Sequence, residues 1–499
     1  MRLTMLLDMV ADADGDRIVV GSRRGGISAA ELRVRARRGA EVVRSHDADA
    51  VVYLGTNGPA FPVAMFAAAF ADVPLVPLNY RLGAEQLDAL LAHHRGAFGI
   101  GDAAGVEVMR RAGIQAVTTE QWLADTSRPV TVEIEEPWDF DRTAVIIYTS
   151  GSTSAPKGVV LRHGNLTSYV LGTVEFLHAQ PSDAALVSVP PYHIAAVANV
   201  LSNLYGGRRT LVLEQFSPQE WLDTVRAEEI THALVVPTML ARIVESGVDV
   251  SVPSLRNLAY GGAPMPATLI ERALRMWPEV GFVNAYGLTE TSSTIAVLGP
   301  EQHREALASS DPHVRARLSS VGHVVPGIDL VIRDDQGAVL PPGEFGHICV
   351  RGEQVSAEYE GLGALVDDDG YFDTRDSGYL DAAGYLFIGG RVDDTIIRGA
   401  ENIAPAEIED VILRHPEVLD AAVVGVPDDE WGQRIEAVVV LRADGVVDAE
   451  EMRAFVLARL RSSKTPDRFH FWSSLGRTET GKLVRREVLA RVVSGEVPV

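Results

Sequence analysis

A single cysteine, Cys349, stands in the 499-residue chain. It cannot close an internal disulfide, which fits a reducing compartment and points to the cytoplasm. Its place in the strand-like His347–Val350 run marks it as a packing residue rather than a nucleophile. Long apolar runs are missing too. No stretch of about 18 apolar residues occurs, so no membrane span is expected. The first ten residues are too short and too soon acidic for a secretory signal. Basic charge is scarce: 45 Lys and Arg face 68 Asp and Glu, for a net charge of −23. That balance argues against a nucleic-acid partner. It also means that any anionic ligand must be held by local cations against the global field.

Lysine is the rarest of those cations. It occurs only at 157, 464 and 482, and every other basic residue is arginine. Lysine offers a compact point charge on a flexible stem, which arginine does not reproduce. Lys464, in Ser462-Ser-Lys-Thr-Pro466, is read as structural. Lys157 and Lys482 fall in stretches suited to phosphate chemistry.

The first of these is the run Thr143–Tyr148, followed by Thr149-Ser-Gly-Ser-Thr-Ser-Ala-Pro-Lys-Gly158 and then Val159–Leu161. An apolar β-branched segment, a small polar loop and a second apolar segment predict strand, exposed loop, strand. Hydroxyls, free backbone N–H groups and one cation in a loop make a grip for polyphosphate. A Gly/Ser run taken alone is most often just a turn. A Walker A loop is excluded on three counts: Pro156 stands where its second Gly belongs, Gly158 follows the lysine, and a strand rather than a helix comes next.

Around this loop the chain alternates buried strands and helices. Val51–Leu54, Val73–Leu78 and the helix Pro62–Ala71 predict one α/β layer, which Ala97–Gly101 extends. Arg209–Leu213, His232–Val236, Leu255–Tyr260 and Gly281–Ala285 predict a second. Residues 320 to 388 predict a short-strand β region. The helix Ser28–Arg44 carries Arg33, Arg35, Arg37 and Arg38, with Glu31 and Glu41 beside them, as a solvated face. The adjacent His93 and His94 are expected at the surface. After Gly390-Arg-Val-Asp-Asp394 comes a small α+β unit: strand Thr395–Ile397, helix Ala404–His415, strands Leu419–Val426 and Ile435–Leu441, helix Ala449–Leu460. The expected fold is thus α/β. A large N-terminal domain (1–390) holds layered sheets and a β subdomain, and a small mobile α+β domain (391–499) follows.

The loop resembles the phosphate signature of the adenylate-forming superfamily, Thr-Ser-Gly-Ser/Thr-Thr-Gly-x-Pro-Lys-Gly, in its acyl- and aryl-CoA synthetase branch. The likeness runs from about Asp16 to Arg486, with the motifs in the family's order. One departure is Ser154 in place of a glycine. By resemblance, Thr149, Ser150, Gly151, Ser152, Thr153 and Lys157 hold the pyrophosphate of ATP. Tyr286-Gly-Leu-Thr-Glu290 resembles the aromatic-Gly-x-Thr-Glu element: Tyr286 and Gly287 at adenine, Thr289 at the α-phosphate, Glu290 on Mg²⁺. Gly262, Ala263 and Pro264 border adenine. Asp376 and Arg391 match the ribose contacts, although Arg375 replaces the usual glycine before that aspartate. Lys482, in Arg477-Thr-Glu-Thr-Gly-Lys482, matches the adenylating lysine. A cation bridging the attacking carboxylate and the α-phosphate is what this chemistry needs.

The resemblance implies a two-step reaction. A carboxylate displaces Mg²⁺-pyrophosphate from ATP, the C-terminal domain pivots at Asp393, and a phosphopantetheine thiol enters by a tunnel along Gly399 and Ala400. Ala400 stands at a usual glycine. The segment Pro190–Ala196 lacks the aspartate that amino-acid-activating members use. Its Tyr192 and His193, with Gly261 and Ala285, suit a pocket for an apolar acid: fatty, aromatic or alicyclic. The expectation is an AMP-forming acyl-CoA ligase using ATP, Mg²⁺ and CoA. Two alternatives stay open: an acyl-AMP ligase that loads a carrier protein, and a non-catalytic acyl-adenylate or acyl-CoA binding protein. A homodimer is left open.

Overall fold

The computed structural model describes residues 1–130, 138–149, 156–398, 401–428, 431–443, 445–478 and 482–495, with backbone only at 401 and 402. The expectations at Ser150, Gly151, Ser152, Thr153, Ser154, Gly399 and Ala400 lie outside the described residues.

Two large sheets share one core. The first has eight strands: Gly363–Ala364, Glu358–Tyr359, Lys157–Arg162, Thr143–Thr149, Leu75–Pro77, Val51–Leu54, Phe98–Gly101 and Gln115–Thr118. The second has nine: His323–Val324, Ser293–Leu298, Gly281–Leu288, Asn257–Gly261, His232–Val235, Ala184–Val187, Arg209–Val212, Ile18–Val20 and Ile27–Ser28. Helices Leu3–Ala13, Ala29–Ser45, Ala60–Ala71 and Ile194–Gly206 lie in the apolar cluster that joins the sheets. Ala60–Ala71 is apolar on every side and buries all twelve residues, as a helix without a polar face must. Both predicted α/β layers are therefore present, and Ala97–Gly101 does contribute a fully buried strand.

The arginine-rich helix begins at its predicted cap, where Ser28 Oγ accepts from the Glu31 N–H at 3.2 Å. Arg33, Arg35, Arg37 and Arg38 are paired with Asp12, Glu31, Asp8 and Glu41 in turn. This face is neutralised by carboxylates, not offered to an anion. Cys349 is buried and free, and burial pushes its thiol up to about 11, as suits a packing residue.

The predicted β region is an antiparallel sheet of Asp329–Arg333, Gly346–Arg351, Phe372–Leu380 and Leu386–Arg391. Beyond it, Ile396–Arg398 pairs with Glu401–Ile403. A three-stranded sheet follows, of Val418–Asp428, Gly432–Leu441 and Arg468–Trp472, with helices Pro405–Leu413, Ala449–Leu457 and Arg485–Ser494. The strand Arg468–Trp472 and the last helix extend the predicted unit. Its two apolar clusters draw only on residues from Ile396 onward. Among the described residues no helix is long and apolar enough to cross a membrane.

Candidate active site

The predicted strand–loop–strand is a hairpin. Thr143–Thr149 runs antiparallel to Lys157–Arg162, pairing Tyr148 with Gly158 and Thr149 with Lys157. Its root is anchored from far along the chain. Tyr148 Oη donates to Glu360 Oε2 at 2.7 Å, and the Glu360 N–H donates to the Gly158 carbonyl at 2.9 Å. His94 Nε2 lies 2.9 Å from the same Tyr148 oxygen. His94 is buried, not at the surface as its sequence neighbourhood suggested, and burial lowers its pKa. Since Tyr148 donates to Glu360, His94 must be the donor to Tyr148, which assigns its proton to Nε2.

The central strands Ala184–Val187, His232–Val235, Asn257–Gly261 and Gly281–Leu288 are parallel, so their carboxyl ends share one edge. Open α/β sheets bind ligands at such an edge. Here the edge carries the Tyr192–His193 pair, Gly261–Pro264 and Tyr286–Glu290. Tyr192 is buried, edge-on to Tyr80 at 5.6 Å and 4.7 Å from the His193 ring. Gly261 pairs with Ala285, and a Cβ there would sit 2.3 Å from the Ala285 carbonyl oxygen. Backbone approach alone thus demands glycine at 261. Tyr286, expected just past its strand, lies within it, and a 3₁₀ turn, Thr289–Thr291, follows.

Two predicted residues, Tyr286 and Arg391, converge on a third, the carboxylate of Asp376. Asp376 is buried; its Oδ2 accepts from Tyr286 Oη at 2.7 Å, and its Oδ1 lies 3.1 Å from Arg391 Nε. Arg391 also donates to the Thr374 carbonyl at 2.9 Å. Burial raises the Asp376 pKa, while Arg391, Tyr286 and Lys482 each oppose that rise. The Lys482 charge thus acts on Asp376 although the two lie on different units of the chain. Its side chain is solvent-accessible yet crowded by protein atoms. That crowding, then the Arg391 charge, lowers its pKa, while Asp376 and Glu290 raise it. Against a net charge of −23, Lys482 and Arg391 supply the local cations that an anionic ligand requires.

Arg375 has φ +60, in the left-handed region. This is why glycine suits the position and why arginine there carries strain. Asp393 is exposed in the short turn Val392–Asp394. Its neighbour Asp394 is tied to the last helix, 3.3 Å from Arg485.

Glu290 Oε1 accepts from Tyr359 Oη at 2.7 Å, and the Glu290 carbonyl accepts from Ser356 and Ala357. Lys157 Nζ lies 5.9 Å from the Tyr359 ring. Among the described residues no group of three or more His, Cys, Asp or Glu side chains could cage a metal. One hard carboxylate completed by substrate phosphate oxygens is the usual protein share of a Mg²⁺ site, and Glu290 fits it. Tyr359, Glu360 and Tyr148 were not picked out from sequence. Glu358–Tyr359 is a two-residue strand with no periodic signal, although its partner Lys157–Arg162 was in view.

Known proteins resemble the chain along nearly its whole length. Residues 7–360 match the AMP-binding enzyme family and residues 407–482 the AMP-binding enzyme C-terminal domain. A feruloyl-CoA synthase from Amycolatopsis is 35% identical over 488 residues, covering 94% of this chain and 95% of that protein. The fatty acid–[acyl-carrier-protein] ligase ScoC of Streptomyces coeruleorubidus is 32% identical, covering 89% and 86%. The structure of o-succinylbenzoate CoA synthetase from Bacillus subtilis with its acyl-adenylate superposes with a TM-score of 0.84, at 30% identity and 97% coverage of both chains. The same enzyme with ATP and magnesium ion gives 0.84 at 29% identity. The chain belongs to the AMP-binding enzyme family, in the acyl- and aryl-CoA synthetase branch of the adenylate-forming superfamily, and is an AMP-forming acid–thiol ligase.

Proposed function

We propose that this enzyme activates an apolar carboxylic acid and passes it to a thiol, with the two halves run by different faces of residues 391–499 pivoting at Asp393. In the first half the acid's carboxylate oxygen attacks the α-phosphorus of ATP. The bond to the bridging oxygen breaks, and pyrophosphate leaves as the acyl-adenylate forms. Lys482 stabilises charge on the attacking and α-phosphate oxygens. Lys157 and the loop Thr149–Thr153 take the leaving pyrophosphate. Asp376 and Arg391 hold the ribose, and Tyr286 does two things: its ring faces adenine and its hydroxyl fixes Asp376. Thr289 contacts the α-phosphate and Glu290 holds the magnesium ion, which when bound neutralises phosphate charge. In the second half a thiolate attacks the acyl carbon, and AMP leaves with the C–O electron pair.

The observation that carries this reading is the joining of Tyr286, Asp376 and Arg391 at 2.7 and 3.1 Å, a cluster on which the Lys482 charge also acts. A cation from the C-terminal part lies where the proposed nucleotide contacts converge. That arrangement disfavours a merely binding role.

The acid is read from Tyr192, His193, Gly261 and Ala285: an aromatic, an imidazole and a bare backbone edge, with no carboxylate for an α-ammonium group. Aromatic acids come first, in keeping with the feruloyl-CoA relative. CoA is the proposed acceptor; the carrier-protein ligase among the relatives supports carrier loading as a second reading. Acid-dependent ATP–pyrophosphate exchange across a panel of acids, then AMP release with and without CoA, tests both. Exchange with an aromatic acid and CoA-stimulated AMP release is the expected result. Exchange that only a phosphopantetheinyl carrier carries through to AMP release favours the second reading, and no exchange with any acid refutes both.

A further inference from the structure

The segment Ser356–Glu360 ties the phosphate-loop hairpin to Glu290. Ser356 and Ala357 donate their N–H groups to the Glu290 carbonyl at 2.9 and 3.1 Å. Glu358 accepts two hydrogen bonds from the Arg162 guanidinium, both at 2.8 Å. Tyr359 pairs with Val159 and points its hydroxyl at Glu290. Glu360 takes the Tyr148 hydroxyl. Four hydrogen bonds thus fix the phosphate-loop hairpin to the segment through Arg162, Tyr148 and Gly158, and three fix the segment to Glu290. Ala357 adopts φ +48 to make the turn, a strained conformation for a residue with a Cβ.

Tyr359 is the member whose side chain serves both ends. Its ring lies beneath the Lys157 ammonium and its hydroxyl donates to Glu290 Oε1. A tyrosine phenol ordinarily loses its proton only near pH 10, so it stays neutral and remains the donor to Glu290. A carboxylate ligating Mg²⁺ needs an outer partner to fix its rotation, and a neutral phenol does this without cancelling its charge. A lysine or arginine in the same place would compete with the metal.

We propose that Tyr359 is a positioning residue for the divalent cation that accompanies ATP: its hydroxyl locks Glu290 and its ring sets Lys157, so that metal and pyrophosphate grip stay in register. This rests on the reading of Glu290 as the metal-facing carboxylate.

The test is Mg²⁺-dependent ATP binding by calorimetry without acid, with wild type, Tyr359→Phe, Glu290→Gln and the double variant. Tyr359→Phe should raise the Mg²⁺ concentration for half-maximal ATP binding by about tenfold, the usual loss when an outer partner of a ligand is removed. Saturating Mg²⁺ should restore binding. The effect should vanish in the Glu290→Gln background, because the two residues act on one ligand. Ligand-free melting curves separate a folding defect from a metal defect. An unchanged Mg²⁺ dependence in Tyr359→Phe, beside a shifted one in Glu290→Gln, overturns the proposal alone. So does a loss of ATP binding that no Mg²⁺ concentration restores. No shift in Glu290→Gln removes the metal reading of Glu290 and the proposal with it.

Discussion

Tyr286 Oη and Asp376 Oδ2 lie 2.7 Å apart, so the aromatic expected at adenine is also the residue that orients the expected ribose ligand. Burial and the Asp376 charge raise the Tyr286 pKa, which keeps its proton in place as the donor. Tyr286→Phe keeps the ring and removes the hydrogen bond. A hydrogen bond to a buried carboxylate contributes about 1.5–3 kcal/mol. The variant should lose about that much stability in urea unfolding, and its KM for ATP should rise while the KM for the acid stays put.

Asp376 itself predicts a pH dependence. Burial raises its folded-state pKa above the unfolded carboxylate value, so the folded protein binds this proton more tightly. Its contribution to stability is therefore full below the unfolded pKa of about 3.9 and is lost as pH rises through the folded value. Asp376→Asn cannot ionise. Its melting temperature should rise relative to wild type as pH goes from about 4 to 7, while ATP binding falls. A difference that stays constant across that range contradicts the sign.

Arg375 sits at φ +60 and predicts a gain. A left-handed residue with a Cβ costs about 1–2 kcal/mol, and glycine's extra unfolded-state freedom takes back about 0.4–1. Arg375→Gly should raise stability by about 0.5–1 kcal/mol, read from denaturant midpoints at constant m.

Gly261→Ala should act the other way. The added Cβ would sit 2.3 Å from the Ala285 carbonyl oxygen, and backbone must move to admit it. A loss of about 1–3 kcal/mol is expected, with adenylation falling more than nucleotide binding alone.

The motifs were legible because each is a contiguous run whose chemistry is local: hydroxyls and a lysine in one loop, Tyr286 to Glu290 in one turn. The sheet strands were legible from buried β-branched runs such as Val51–Leu54. The departure at Arg375 was visible in sequence, but only the backbone angle shows what it costs. What sequence hid was made by pairing at a distance. His94 ends a helix and looked exposed, yet Tyr148 covers it from another strand. Glu358–Tyr359 is too short to show periodicity, and its meaning comes from docking on Val159 and Glu290. Arg468–Trp472 does alternate, but it becomes a strand by joining Gly432–Leu441 in parallel, a partner set by the fold.

The central claim is that Lys482 serves adenylation and leaves before thiol transfer. Lys482→Ala, assayed for acid-dependent ATP–pyrophosphate exchange and separately for thioester formation from supplied acyl-adenylate, tests it most directly. The account predicts that exchange is lost by several orders of magnitude while thioester formation is largely kept. Equal loss of both would contradict it.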